Sequence, residues 1–235
     1  MIKLLLLLFA ALKFGKLAGT GGSMLLSLVI YGSMFGWRYA AGFIALLFVH
    51  EMGHYVAARE RGLDVGAPTF IPFVGAYIEM KQRPVNAETE AYIAFAGPFI
   101  GTVASFGCYF YARETDSNLW LAVSYSGFFL NFFNLLPVSP LDGGRITAII
   151  TPRIWLLGAP LMLAMLFYSP SPALIIITVV AIPQLIAAWK YDPAAPENAR
   201  YYNTPAIVRL EYAAMYLGLA VLLAIMTHKV HEMLG

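Results

Sequence analysis

Apolar residues in this chain come in long unbroken runs, with little of the three-to-four or alternating spacing of half-exposed elements. The runs fall at about 22–37, 39–58, 91–112, 118–138, 154–168, 171–189 and 206–227. Each approaches or exceeds the roughly 20 residues a helix needs to cross a bilayer, although the fifth is short and contains Pro160. The pattern predicts an all-α polytopic membrane protein with about seven transmembrane helices and no internal repeat. One apolar stretch does not fit a span. GAPTFIPFVGAYIEM, residues 66–80, carries Pro68, Pro72 and Gly75 and reads as two short β-prone runs. It is expected to be a membrane-dipping β-hairpin whose backbone is satisfied by protein or water. At the start, Lys3 and nine apolar residues imitate a signal peptide, but Lys13 and Lys16 stand where small residues would be needed for cleavage. Residues 1–19 are therefore expected to be an uncleaved amphipathic helix lying in the interface.

Composition agrees with that reading. The chain has 235 residues, 60% of them hydrophobic and only 12% charged, against about a quarter charged in ordinary soluble domains. A net charge of +2 gives no reason to expect a nucleic-acid partner. The single cysteine, Cys108, excludes an internal disulfide and reads as packing. If the N-terminus is on side one, that side collects Lys3, Lys13, Lys16, Arg59, Arg61, Lys81, Arg83, Arg145, Arg153, Lys190, Arg200 and Arg209. The other side receives Arg38, Arg113 and Lys229. The positive-inside rule makes side one cytoplasmic and puts the C-terminus outside, in a cell membrane. Trp37, Trp120, Trp155 and Trp189 fall near span ends, as interfacial anchors do.

The second run contains HEMGH, residues 50–54. Positions i and i+4 share a helix face, so His50 and His54 can reach one ion, while Glu51 projects about 100° away, near enough to hold a water without ligating. A Glu and two His inside a span are costly to bury, and a divalent cation is the strongest compensation. A catalytic zinc needs a third protein ligand and an open position. Asp142, in NFFNLLPVSPLDGGR (131–145), is the best candidate. Pro137 and Pro140 end the helix there, and Gly143 and Gly144 permit a tight turn. The second and fourth spans run in the same direction, so both deliver these residues towards one side of the bilayer. Glu79, Glu88 and Glu90 stay open as rival third ligands, because other zinc peptidases place a Glu some distance after the second His. His228 and His231 have ligand-like spacing but fall on the far side. Gly97 and Gly101 form a GxxxG pair, read as close helix packing.

HEMGH in one span, followed in a later one by Asn134-Leu-Leu-Pro137 and Asp142-Gly143, resembles the site-2 protease family of intramembrane zinc metalloproteases. The resemblance covers about residues 40–150. It implies His50, His54 and Asp142 as ligands of one Zn2+, Glu51 as catalytic acid/base, and Asn134 as a hold on the substrate carbonyl or its oxyanion. It also implies that the 66–80 hairpin pairs with an unwound substrate strand, and that the helix through Ala96-Gly97-Pro98 is kinked. The implied substrate is a single-span membrane protein cut near the cytoplasmic side. On this basis residues 20–235 form one transmembrane protease domain, with a catalytic core over about 39–150 and accessory helices at 22–37 and 154–227. The chain lacks room for the PDZ insertion or CBS pair of larger members. A surface-acting membrane zinc peptidase with a Glu ligand, a metal transporter and an inactive homologue are the alternative functions.

Overall fold

The computed structural model describes residues 2–73 and 75–235, with side chains from residue 19 onward except at 172 and 173. Nine helices and one small sheet make up these residues. α1 spans Ile2–Phe35 but is two helices joined at Gly19, whose φ of 64° breaks the ladder. Of the interfacial helix expected over 1–19, residues 2–18 are helical in their backbone, while residue 1 and the side chains before residue 19 lie outside the described residues. α2 (Trp37–Glu60) starts after Gly36. It ends where Gly62, at φ +75°, donates to Arg59 O and Leu63 donates to Ala58 O. That pair of bonds satisfies carbonyls the last turn would leave free, and Leu63 packs back on Ala57 and Ala58.

Two short antiparallel strands follow, β1 (Thr69–Ile71) and β2 (Gly75–Tyr77), paired Thr69 to Tyr77, with a further bridge between Val65 and Met80. The expected hairpin is present, and it is clamped. Phe70 is fully buried against Ile44 and Leu47 of α2. Ser23 and Tyr31 of α1 accept the backbone N–H groups of Phe70 and Phe73, at 3.1 and 2.8 Å. An apolar hairpin next to helices of this kind needs such partners for its backbone.

α3 (Ala87–Thr115) begins at Asn86, whose side chain accepts the Thr89 N–H at 2.8 Å, with Glu88 and Glu90 in the first turn where the helix dipole favours them. α4 (Asn118–Asn134) sits in the middle, packed on α2, on α3 and on the last helix, α9 (Ala206–Leu234). Between them come α5 (Asp142–Thr147), a single 3₁₀ turn at Pro152–Ile154, α6 (Trp155–Tyr168), α7 (Pro172–Trp189) and α8 (Pro196–Tyr201). The main core joins α3, α4, α5 and α9 around Phe128, Ile149 and Leu223, each wholly buried. A smaller cluster seats α6 and α7 on Val138 through Met162, Leu174 and Ala181.

Seven spanning helices were expected. Among the described residues three are long and apolar enough to cross a membrane: α2, α3 and α9. Gly19–Phe35, Pro152–Tyr168 and Leu174–Trp189 are shorter apolar helices, and α4 has 17 residues. The run 118–138 loses its last residues to the turn before Pro137 and Pro140, while the division between 154–168 and 171–189 falls where expected, at Ser169-Pro170-Ser171. Of the four tryptophans, Trp37 and Trp189 are exposed at helix ends. Trp155 instead donates its Nε1–H to Gly144 O at 2.7 Å, tying α6 to α5, the short helix that carries Asp142.

Candidate metal centre

HEMGH lies about three turns before the end of α2, and His50, Glu51 and His54 are all buried there. The two imidazoles meet edge to face, with centroids 4.8 Å apart. Asp142 arrives from the opposite side, in the first turn of α5. Its approach depends on the glycines after it. A Cβ on Gly143 would stand 2.6 Å from Leu136 O, and one on Gly144 would stand 2.7 Å from Val138 O. The DGG pattern is thus a steric requirement of the turn, independent of any chemistry at Asp142.

The hydrogen-bond partners decide which atoms face inward. His54 Nδ1 lies 2.7 Å from Ile93 O. A carbonyl only accepts, so Nδ1 carries the proton and Nε2 presents a lone pair. His50 Nδ1 lies 2.7 Å from Asn131 Oδ1, while the Asn131 amide nitrogen donates to Gly127 O at 2.7 Å. That second bond fixes the amide with its oxygen towards His50, so His50 also bears its proton on Nδ1. Both Nε2 atoms and Asp142 Oδ2 are therefore acceptors. They stand 3.1 Å (Nε2 to Nε2), 3.3 Å (His50 to Asp142) and 3.2 Å (His54 to Asp142) apart. One added proton would satisfy a single edge of this triangle, whereas a divalent cation satisfies all three. Ligands about 2.05 Å from a tetrahedral zinc are separated by roughly 3.3 Å. The donor set and its spacing fit zinc.

Among the described residues this is the one group of His, Cys, Asp and Glu whose ligand atoms converge. Glu90, a rival in sequence, is engaged elsewhere. Arg145 Nε lies 3.3 Å from Glu90 Oε1, and Tyr201 OH donates to Glu90 Oε2 at 2.6 Å. Arg145 Nη1 in turn lies 3.7 Å from Asp142 Oδ1, the oxygen turned away from the imidazoles. Burial, followed by the charge of Glu90, pushes the Tyr201 hydroxyl far above its ordinary value and that of Tyr202 up to about 12. Glu79 is exposed, and Glu88 lies half-buried in the first turn of α3. His228 pairs with Glu232 at 3.4 Å, and His231 packs on the Tyr125 ring.

A cavity of about 300 Å³ opens in front of the three ligands. Glu51 and Asn134 line it, and so do Gly75 to Ile78 of the hairpin. A second, polar cavity of about 710 Å³ lies between residues 80–84 and α8 and shares Met80 and Arg145 with the first.

Three positions that shape the centre were not singled out for it by the sequence. Asn131, 1% exposed, holds His50. Gly97 leaves room for the His54 ring, and Gly101 leaves room for the Asn131 amide. The signal for Asn131 was available, since a buried amide inside an apolar run marks a structural or functional polar contact. For Gly97 and Gly101, the expectation of close packing matches what they do within this one chain.

The model of peptidase family M50, the site-2 protease family, matches residues 38–116, the segment holding HEMGH and all of α3 but not Asp142. A solved structure, the site-2 protease from Methanocaldococcus jannaschii, is similar at 23% identity, covering 71% of this chain and 85% of that one with a TM-score of 0.47. No curated protein sequence matches the chain.

Proposed function

We propose that this chain is an intramembrane zinc metalloprotease that hydrolyses a peptide bond of a single-span membrane protein near the cytoplasmic face. The observation that carries the reading is the triangle of three lone-pair atoms, 3.1–3.3 Å on each edge, in one cavity with Glu51 and with the hairpin. His50, His54 and Asp142 would hold one Zn2+. When bound, zinc supplies Lewis acidity to a water molecule and to the scissile carbonyl. Glu51 accepts a proton from the attacking water as its oxygen adds to the carbonyl carbon. It then delivers that proton to the departing amine nitrogen as the C–N bond breaks. Asn134, on the cavity wall, donates to the carbonyl oxygen as negative charge develops there.

Substrate presentation follows from the hairpin. Among the described residues the sheet has two strands, so β2 has one edge paired to β1 and the other without a partner strand, and β2 lines the cavity. An unwound substrate segment added to that edge gains backbone hydrogen bonds with little demand on sequence. The charge asymmetry of the loops supports a cytoplasmic N-terminus and an external C-terminus across a multi-pass arrangement. The polar cavity that shares Met80 and Arg145 with the first would serve as the approach for water, from the side that the loop charges make cytoplasmic.

The test is Glu51→Gln in the full chain, assayed with a transmembrane reporter in proteoliposomes. Cleavage should fall about 100- to 10,000-fold, in line with loss of a general acid/base, while zinc content is unchanged. A variant that cleaves at the wild-type rate refutes the mechanism. Wild-type protein that moves zinc across the vesicle without cleaving anything establishes a transporter instead.

A further inference from the structure

We propose that Asn131 is a positioning residue that locks His50 in the one tautomer able to take a metal. The inference rests on the zinc reading above and deepens it. A buried imidazole has two neutral tautomers, and only the form with Nδ1 protonated leaves Nε2 free to ligate. For His54 the choice is made by a main-chain carbonyl, which cannot do otherwise than accept. For His50 the choice is made by an amide, and an amide can flip. With its oxygen towards His50, Asn131 requires a proton on Nδ1. With its nitrogen towards His50, it would donate to Nδ1 and put the proton on Nε2, where the ion should sit.

Two features of the fold remove the second state, and a third gives the amide its room. Gly127 O, one turn back on α4, accepts the Asn131 amide N–H at 2.7 Å, so a flipped amide would set oxygen against oxygen. The side chain is 1% exposed, so no water compensates a flipped amide. Gly101 of α3 presents no side chain where the amide lies, and a Cβ there would stand 2.8 Å from Asn131 Nδ2 and closer still to Oδ1. The amide thus fits in one orientation, held between two helices. Partners of this kind typically change metal affinity 10–100-fold when removed.

The experiment measures Zn2+ affinity by chelator competition, and Co2+ ligand-field spectra, on the full chain in detergent. Asn131→Leu removes the acceptor and the donor together. Asn131→Asp keeps an acceptor for His50 but loses the bond to Gly127 O. Zn2+ binding should weaken 10–100-fold in N131L, with shifted Co2+ bands, and stay within about threefold of wild type in N131D. A purely structural role gives the opposite order, because a buried carboxylate disturbs packing more than leucine does. Gly101→Ala, which displaces the amide without altering it, should weaken Zn2+ binding about tenfold, and it keeps the test alive if N131L does not fold. The proposal is overturned if folded N131L, or G101A where N131L does not fold, binds Zn2+ within threefold of wild type, or if N131D is as weak as N131L. Wild-type chain that takes up no Zn2+ would sink the protease reading first, and this one with it.

Discussion

Alanine at position 97 would place a methyl group inside the space of the His54 imidazole. The new Cβ would lie 2.7 Å from His54 Cδ2 and closer to Nε2 and Cε1. Carbon atoms in comfortable contact are about 3.5 Å or more apart, so ring or helix must give by nearly 1 Å. The helix cannot give easily. On the other face of this crossing, a Cβ on Gly53 would already stand 2.6 Å from Ala96 O, so the backbones of α2 and α3 are in contact. The ring cannot give freely either, because its Nδ1 is bonded to Ile93 O. A displacement near 1 Å compares with a tolerance of about 0.2 Å in metal–ligand distances. Zn2+ affinity in Gly97→Ala should therefore fall at least about 100-fold, the upper end of what such neighbours do, alongside an overpacking cost of about 1–3 kcal/mol. Gly107→Ala is the control on the same helix, since nothing lies within 4 Å of its added Cβ, and it should bind zinc as wild type does. Chelator competition and thermal unfolding of both variants give the two quantities. G97A protein with unchanged Zn2+ affinity would refute the crossing geometry on which the centre depends.

Two further outcomes follow from the same contacts. Asp142→Ala should lose zinc while Glu79→Ala, Glu88→Ala and Glu90→Gln retain it, which metal analysis of the purified proteins decides; E90Q should instead lose about 1–3 kcal/mol of stability from its half-buried pair with Arg145. Tyr201 and Tyr202 have raised folded-state values, so the stability they contribute is complete below the ordinary tyrosine pKa of about 10 and is lost as pH rises through the raised ones. Thermal midpoints should accordingly fall between pH 10 and about 12, the value to which Tyr202 is pushed, and that fall should shrink in the Tyr201→Phe, Tyr202→Phe double variant.

The parts of this molecule readable in advance are those fixed by spacing of a few residues. An i, i+4 pair of imidazoles needs only that the segment be helical, and the hairpin announces itself through Pro72 and Gly75 within an apolar stretch. Asp142 could be nominated because prolines and glycines mark where the chain turns, but its rivals Glu79, Glu88 and Glu90 stayed open. Only the three-dimensional arrangement shows Glu90 bound to Arg145 and Tyr201, the latter 111 positions away. Distance in sequence likewise hid Asn131 from His50, 81 positions apart. Helix lengths were hard to read for another reason. Hydropathy reports how apolar a run is, whereas helix length depends on where prolines interrupt the ladder, which shortened α4.

X-ray absorption at the zinc edge, on purified chain reconstituted with one equivalent of Zn2+, tests the His50–His54–Asp142 centre most directly. The account expects a four-coordinate shell of nitrogen and oxygen at about 2.0–2.1 Å with two imidazole signatures, reduced to one imidazole in His54→Ala. A shell lacking imidazole, or one unchanged in both H54A and D142A, would contradict it.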